Sequence, residues 1–333
     1  MKIALFGAGR IGQVHAASIA RNADSDLVAV TDVVESAAKD LAKSHGAAVL
    51  SPKEILSDPS IDAMLIASST NTHSDLIEAG IAAGKAIFCE KPIDLSLERA
   101  KQVGAAAQGY AKPIMMGFNR RFDPNFAALK AGIDQGDIGK TEMLAVTSYD
   151  PTPPPIDYIK VSGGLYRDMM IHDFDMCSFL FGMPATVTAH GSCLVDSDIG
   201  KAGDIDTAVV VLTYADGRIA TIRNSRRAAF GYDQRVEVLG SDGMLSVENE
   251  TENQLRRATA DGITSAKPVY FFLERYMRAY EIEWAAFVES CKAGTPVPAT
   301  IQDGINALAL AEAANQSLST GQSVEVTPEL TSA

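Results

Sequence analysis

Three short stretches of the sequence carry residue types and spacings that could do chemistry. In "GGLYRDMMIHDFDM", Asp168 and His172 stand four apart, so a single helix face would make neighbours of a carboxylate and an imidazole able to share a hydrogen bond. Histidine titrates near neutral pH, which suits it to taking and returning a proton. The same spacing also serves a helix cap or a surface ion pair, and a metal site is a further alternative. Against a metal, His15, His45, His73 and His190 show no ligand-like spacing to this pair. In "AGKAIFCEKP" an apolar run ends in Glu90, Lys91 and Pro92. The proline biases Lys91 toward extended backbone and so fixes where its side chain points, the alternative being a solvated surface lysine. In "IALFGAGR" four apolar residues run straight into glycines, which weaken a strand unless they gain something else.

What they gain follows from the spacing. Gly7, Gly9 and Gly12 form G-x-G-x-x-G after a strand pattern and at the start of a helix pattern, where glycines allow a tight turn and let backbone N–H groups approach a pyrophosphate. Asp32 lies about 20 residues downstream, at the end of the second apolar run, where a carboxylate would accept hydrogen bonds from the adenosine ribose. A chance glycine pattern and a helix-capping role for Asp32 are the plain alternatives. Val33 is neutral and no arginine follows within reach of a 2'-phosphate, which favours NAD over NADP.

The elements that must position these residues are visible as alternating patterns. Apolar runs at Lys2–Phe6, Leu27–Thr31, Ala63–Ala67, Ala86–Cys89 and Pro113–Gly117 predict strands. Between them, Ile11–Ala20, Glu35–Ser44, Thr72–Ala83 and Leu97–Gln108 have helical period. Strand, helix, strand, repeated, implies a parallel doubly wound sheet with right-handed crossovers over residues 1–120. Glu90–Pro92 would then lie at the carboxyl edge of that sheet, where such folds put ligands. Beyond it the pattern changes. A helix over Asn125–Gln135 leads to "TEMLAVTSY", a proline-rich loop and a helix over Gly164–Phe181. From Thr186 to Val247 the sequence alternates like an antiparallel sheet, with Asp216-Gly217 and Asp242-Gly243 where hairpin turns favour positive φ. Helices over Leu273–Lys292 and Asp303–Leu318 follow. Residues 121–333 thus read as an α+β domain whose mainly antiparallel sheet carries helices mainly on one face.

Composition bounds the partners. The chain of 333 residues has a net charge of -13 and no visible basic face, which argues against nucleic acid. At 47% hydrophobic and 21% charged it is ordinary for a globular protein, and no apolar run approaches the roughly 18 residues of a membrane span. The short apolar run after Lys2 does not make a signal peptide, so a cytoplasmic protein is expected. Cys89, Cys177, Cys193 and Cys291 are scattered, as structural thiols are.

Together, "GAGRIG", "CEKP" at 89–92, "GFNRRFD" at 117–123 and "RDMMIHDFD" at 167–175 resemble the Gfo/Idh/MocA family of nicotinamide-dependent oxidoreductases. The resemblance spans essentially the whole chain and is greatest to the inositol 2-dehydrogenases. It implies a Rossmann domain followed by a domain with a large open sheet, NAD as cofactor, and a homo-oligomer, dimer or tetramer, packed sheet to sheet; no metal is expected, on the histidine spacing above. It implies cofactor contacts at Gly7, Ala8, Gly9, Arg10, Ile11, Gly12, Asp32, Val33, Ser69, Glu90 and Lys91. The catalytic residues it implies are Lys91, Asp168 and His172, joined in the substrate site by Asn119, Arg120, Asp150, Asp157 and Tyr232. Each of those last five has a solvated loop residue as its alternative, and for Asp150 and Asp157, which flank the proline-rich loop, the two readings are even.

The implied reaction is oxidation of a secondary hydroxyl of a cyclic polyol, with myo-inositol giving 2-keto-myo-inositol. His172 would take the hydroxyl proton, Lys91 as an ammonium would steady the charge on the reacting oxygen, and Asp168 would orient the imidazole or hold a neighbouring hydroxyl. Another inositol isomer or a pyranose is an alternative substrate. A non-catalytic NAD-binding regulator and an NAD-dependent glycoside hydrolase are alternatives of other classes.

Overall fold

The computed structural model describes residues 1–326; the last seven residues of the expected second domain, 327–333, lie outside the described residues. The chain divides into two compact units.

The first unit comprises residues 1–122 and 278–308. Its chain runs β1 (Lys2–Phe6), α1 (Arg10–Arg21), β2 (Asp26–Thr31), α2 (Glu35–His45), β3 (Ala48–Val49), α3 (Pro52–Ser57), β4 (Ala63–Ile66), α4 (His73–Ala82), β5 (Ala86–Glu90), α5 (Leu97–Ala107) and β6 (Ile114–Gly117). The six strands are all parallel in the order β3-β2-β1-β4-β5-β6, the Rossmann arrangement. β4 and β5 are buried along their whole length, which is why they read as unbroken apolar runs rather than alternating ones. β3 and α3 were not anticipated: β3 has two exposed residues, and α3 has six, held by a capping box. In that box Ser51 Oγ accepts the Glu54 N–H at 3.3 Å while Glu54 Oε2 accepts the Ser51 N–H at 2.8 Å.

The second unit comprises residues 123–277 and the described residues from 309 on. It contains α6 (Pro124–Gln135), β7 (Thr141–Tyr149), α7 (Ile156–Ser162), α8 (Leu165–Asp168), α9 (Ile171–Phe181), β8 (Thr186–Ser192), α10 (Ser197–Lys201), β9 (Thr207–Thr213), β10 (Ile219–Ser225), β11 (Asp233–Gly240), β12 (Gly243–Val247), β13 (Arg256–Thr259) and β14 (Gly262–Ser265). α11 (Phe272–Ala293), α12 (Ile301–Thr320) and β15 (Val324–Glu325) complete the described chain. The large sheet has seven strands in the order β12-β11-β7-β10-β9-β8-β15. It is antiparallel except where β7 lies parallel to β10. β9 and β10 alternate buried with accessible residues, so one face packs inward while the other is open. Cross-strand register puts Met143, Val209, Ile219, Leu239 and Met244 on the open face, all exposed.

Three sequence expectations need amendment. The helix expected over Gly164–Phe181 is broken: Met169 and Met170 separate α8 from α9, and the Met170 N–H reaches back to Leu165 O at 2.9 Å, five residues away. The turn at Asp216-Gly217 has Gly217 at φ 90°, but no residue takes positive φ at the next hairpin. There the loop is Ser241–Asp242, and Gly243 already pairs with Gly240. That turn is instead held from outside, by Ser241 N–H on Lys140 O at 2.9 Å and Asp242 N–H on Ile138 O at 3.0 Å. Finally, residues 278–308 group with the first unit, where a boundary at 120 would put them in the second. Burial explains the grouping. Trp284 is fully buried, with its Nε1–H on Ser25 Oγ at 2.9 Å and its ring edge-on to Phe88.

Candidate active site

At the carboxyl end of β1 the chain turns through Gly7, whose φ of 104° is open to glycine and whose added Cβ would lie 2.4 Å from Ala67 O. Gly12 is pressed against the same turn; a Cβ there would sit 2.0 Å from Gly7 O. Gly9, the N-cap of α1, has nothing within 4 Å of where its Cβ would be. The first helical bond is Gln13 N–H to Gly9 O at 3.0 Å, so the preceding N–H groups, including those of Arg10 and Ile11, have no partner inside the helix. No acidic residue stands in the first turn and no side chain caps it. Asp32 follows β2, its Oδ2 accepting the Ala8 N–H at 2.6 Å and its Oδ1 the Val34 N–H at 2.7 Å. Each carboxylate oxygen keeps a lone pair for a ribose hydroxyl, and Val33 beside it is fully exposed. An open, anion-ready helix start next to a fixed carboxylate fits a dinucleotide, and this edge is where the strand order reverses between β1 and β4.

The Glu-Lys-Pro stretch is braced from below. Glu90 is buried at the end of β5, with Oε1 2.7 Å from His15 Nε2 and Oε2 accepting the Lys91 N–H at 3.3 Å. Gly117, across on β6, gives the room: a Cβ there would come within 3.1 Å of the Glu90 carboxyl carbon. The Lys91–Pro92 peptide is cis. His73, at the start of α4, places Nδ1 2.8 Å from Pro92 O and Nε2 3.1 Å from Ser68 O. It thereby ties the Lys91 turn to the Ser69 loop, and burial holds its pKa below the usual histidine value. His15 and His73 thus have structural work that their spacing in the sequence did not reveal.

In the second unit, Asp168 ends α8 and His172 is the second residue of α9. The adjacent Asp173 is fully buried and accepts a hydrogen bond from Asn224 Nδ2 on β10 at 2.8 Å, which anchors the first turn of α9. Asp168 Oδ1 accepts the Tyr158 hydroxyl at 2.8 Å, and Oδ2 lies 3.4 Å from both terminal nitrogens of Arg226. Burial, then the Asp168 charge, pushes the Tyr158 phenol well above its ordinary pKa, with Asp150 acting in the same direction. The Arg226 guanidinium is also 3.7 Å from Asp204 Oδ2. Tyr158, Asp204 and Arg226 were not anticipated. They come from α7, the segment before β9 and the residue after β10, and no local pattern links them.

The remaining expected substrate residues occupy different settings. Asn119 and Arg120 are buried in the short turn Asn119–Phe122. Asp150 is tied to the start of the loop after β10, its N–H on Ser225 O at 2.9 Å and its carbonyl accepting the Ala228 N–H at 2.7 Å. Tyr232 is buried edge-on to Tyr276. Asp157 is exposed and paired with Lys160 at 2.9 Å, and this lysine holds its carboxyl below the usual range. All four cysteines are free; burial pushes the Cys89 and Cys177 thiols up and the Cys291 thiol up to about 12. Among the described residues no three His, Cys, Asp or Glu side chains cluster as metal ligands would. No helix among them is long and apolar enough to cross a membrane.

A Rossmann sheet with an open helix start beside a fixed carboxylate, followed in the chain by a mixed open-sheet unit, is the architecture of an NAD-dependent dehydrogenase. Residues 1–118 match the oxidoreductase family with an NAD-binding Rossmann fold, and residues 126–246 match the GFO/IDH/MocA C-terminal domain. The chain is 46% identical to an inositol 2-dehydrogenase of Rhizobium meliloti, over 98% of this chain and 99% of that one. It is 44% identical to a myo-inositol 2-dehydrogenase of Thermotoga maritima, over 98% of each. The crystal structure of a myo-inositol dehydrogenase from Corynebacterium glutamicum matches with a TM-score of 0.95 at 42% identity, over 98% of this chain and 99% of that one. The chain belongs to the Gfo/Idh/MocA family of oxidoreductases, and NAD is its cofactor.

Proposed function

We propose that the protein oxidises a secondary hydroxyl of a cyclic polyol, with myo-inositol as substrate and 2-keto-myo-inositol as product. The observation that carries this reading is identity of 46% and 44%, end to end, to proteins named as inositol 2-dehydrogenases. Bound NAD supplies the hydride acceptor. Asp32 accepts from the ribose hydroxyls, and its charge would oppose a 2'-phosphate. His172 takes the hydroxyl proton, a task that suits an imidazole because histidine in general changes charge near neutral pH. Lys91, as an ammonium, donates to the reacting oxygen and steadies charge that is greatest in the transition state. Asp168 orients the imidazole and supports the imidazolium that forms. Asn119, Arg120, Asp150 and Tyr232 are the proposed hydroxyl contacts. The exposed Asp157, paired with Lys160, fits a solvated helix face better than a substrate contact.

The open sheet face with its exposed Met143, Val209, Ile219, Leu239 and Met244 supports a homo-oligomer, dimer or tetramer, and we infer a cytoplasmic setting. Light scattering reads the assembly. The function is tested by following NADH absorbance with a panel of cyclitols, pyranoses and sugar acids. NADH from myo-inositol, with pyranoses weaker, is the expected result. Oxidation of sugar acids alone would overturn the reading, and glycoside cleavage with no net NADH would indicate the hydrolase alternative.

A further inference from the structure

Arg226 is the most deeply buried cation near the Asp–His pair, its side chain 1% exposed, and no role attaches to it so far. Its backbone N–H is fixed on Asp206 O at 2.8 Å, so the start of its side chain is held by the sheet. Its guanidinium faces two carboxylates, Asp168 at 3.4 Å and Asp204 at 3.7 Å, and its Nε makes no hydrogen bond among the described residues. These distances exceed those of a tight charge-assisted pair, roughly 2.7–2.9 Å. A fork clamped on Asp168 would occupy both oxygens; here Tyr158 takes Oδ1 and the guanidinium stands off Oδ2. The charged groups near Asp168 include Arg226 from the segment after β10 and Asp204 from before β9, while Asp150 acts on the Tyr158 phenol. Two carboxylates thus share one guanidinium.

We propose that Arg226 is a positioning residue for the oxidation: it keeps Asp168 aimed while standing off its carboxylate, so that Asp168 supports the imidazolium formed on His172. The assignment rests on the proposed roles of Asp168 and His172. Asp204 shares the guanidinium and prevents a closed pair. Its own Oδ1 is occupied by the Leu165 N–H at 3.0 Å, which also fixes the first turn of α8, the helix that ends in Asp168.

The test is a double-mutant cycle read on kcat/KM for myo-inositol at saturating NAD, with full pH profiles. Arg226→Gln should lower kcat/KM by about 10- to 100-fold, the range expected of groups in one charged network. Arg226→Lys should recover most of that loss. In the Asp168→Asn background, Arg226→Gln should add less than about twofold, because the carboxylate it serves is gone. The acidic limb should move to higher pH in Arg226→Gln, where the imidazolium loses a repelling cation, and to lower pH in Asp168→Asn. Fully additive losses in the cycle would overturn the assignment. Should Arg226→Gln fail to fold, Asp204→Asn serves instead: the guanidinium then turns wholly to Asp168, and the acidic limb should move to lower pH. An unmoved limb in that variant would also overturn it. His172→Ala separates the two readings. If it stays active, the Asp–His pair is not the base and the proposed mechanism falls. If it is inactive and the cycle is additive, only the role of Arg226 falls.

Discussion

The nucleotide cradle and the Asp168 cluster make opposite use of the chain. In the cradle the backbone does most of the work: N–H groups at the start of α1, the turn at Gly7 and the close approach of Gly12 to it all lie within six residues. Beside it stands the Asp32 carboxylate, which is itself held by backbone N–H groups. Around Asp168 the backbone is scaffolding and the work falls to side chains from four separate segments, at 158, 168, 204 and 226. A site made of backbone is sensitive to any added atom. A site made of charges is sensitive to any change in their sum.

Substitutions can break that contrast. The largest effect is expected from His172→Ala and Lys91→Ala, each losing about 10²- to 10⁴-fold in kcat, the range for a general acid–base group. His172→Ala should leave the NAD dissociation constant unchanged by calorimetry, since the cradle lies in the other unit. Next comes Gly12→Ala. Its Cβ has no room against Gly7 O, so NAD binding should be lost beyond detection, and overpacking should cost about 1–3 kcal/mol of stability, read as a lowered Tm. Asp32→Ala is gentler. The native protein should favour NAD over NADP by at least about tenfold in kcat/KM, and the variant should narrow that ratio, because the carboxylate and not the cradle opposes a 2'-phosphate. A native preference for NADP would remove Asp32 from the ribose site. Smallest is Asp157→Ala, in which an exposed side chain paired only across one helical turn is lost; kcat/KM should change by less than about twofold.

The same contrast explains what was legible in the sequence. Gly7, Gly9, Gly12 and Asp32 could be read because their function is local and their spacing is set by one βαβ unit. The buried parallel strands were legible for a related reason, as continuous apolar runs. Lys91, Asp168 and His172 stand out by spacing, but the catalytic roles expected of them came from resemblance, since the spacing alone also suited surface roles. Arg226 and Tyr158 were missed because an arginine and a tyrosine in loop-flanked segments carry no pattern; only the fold brings them to Asp168. The break at Met169–Met170 escaped for a different reason. Both residues favour helix, so propensity gave no sign that the backbone would reset between Asp168 and His172. β7 falls on the "TEMLAVTSY" stretch, and its place between β11 and β10 follows from long-range pairing.

The return of residues 278–308 to the first unit has a consequence for recombination. Tyr280 and Trp284 sit edge-on to His15 and Phe88, and the Met116 N–H is spent on Ala299 O at 2.9 Å. A nucleotide-binding fragment cut after Phe122 would expose those rings and leave that amide of β6 unpaired. Exchanging the substrate-recognising part for that of a relative therefore calls for three splice points, after Phe122, before Arg278 and after Leu308. A chimera joined at a single point near residue 120 would inherit a nucleotide unit whose missing aromatic filling has to come from a foreign sequence.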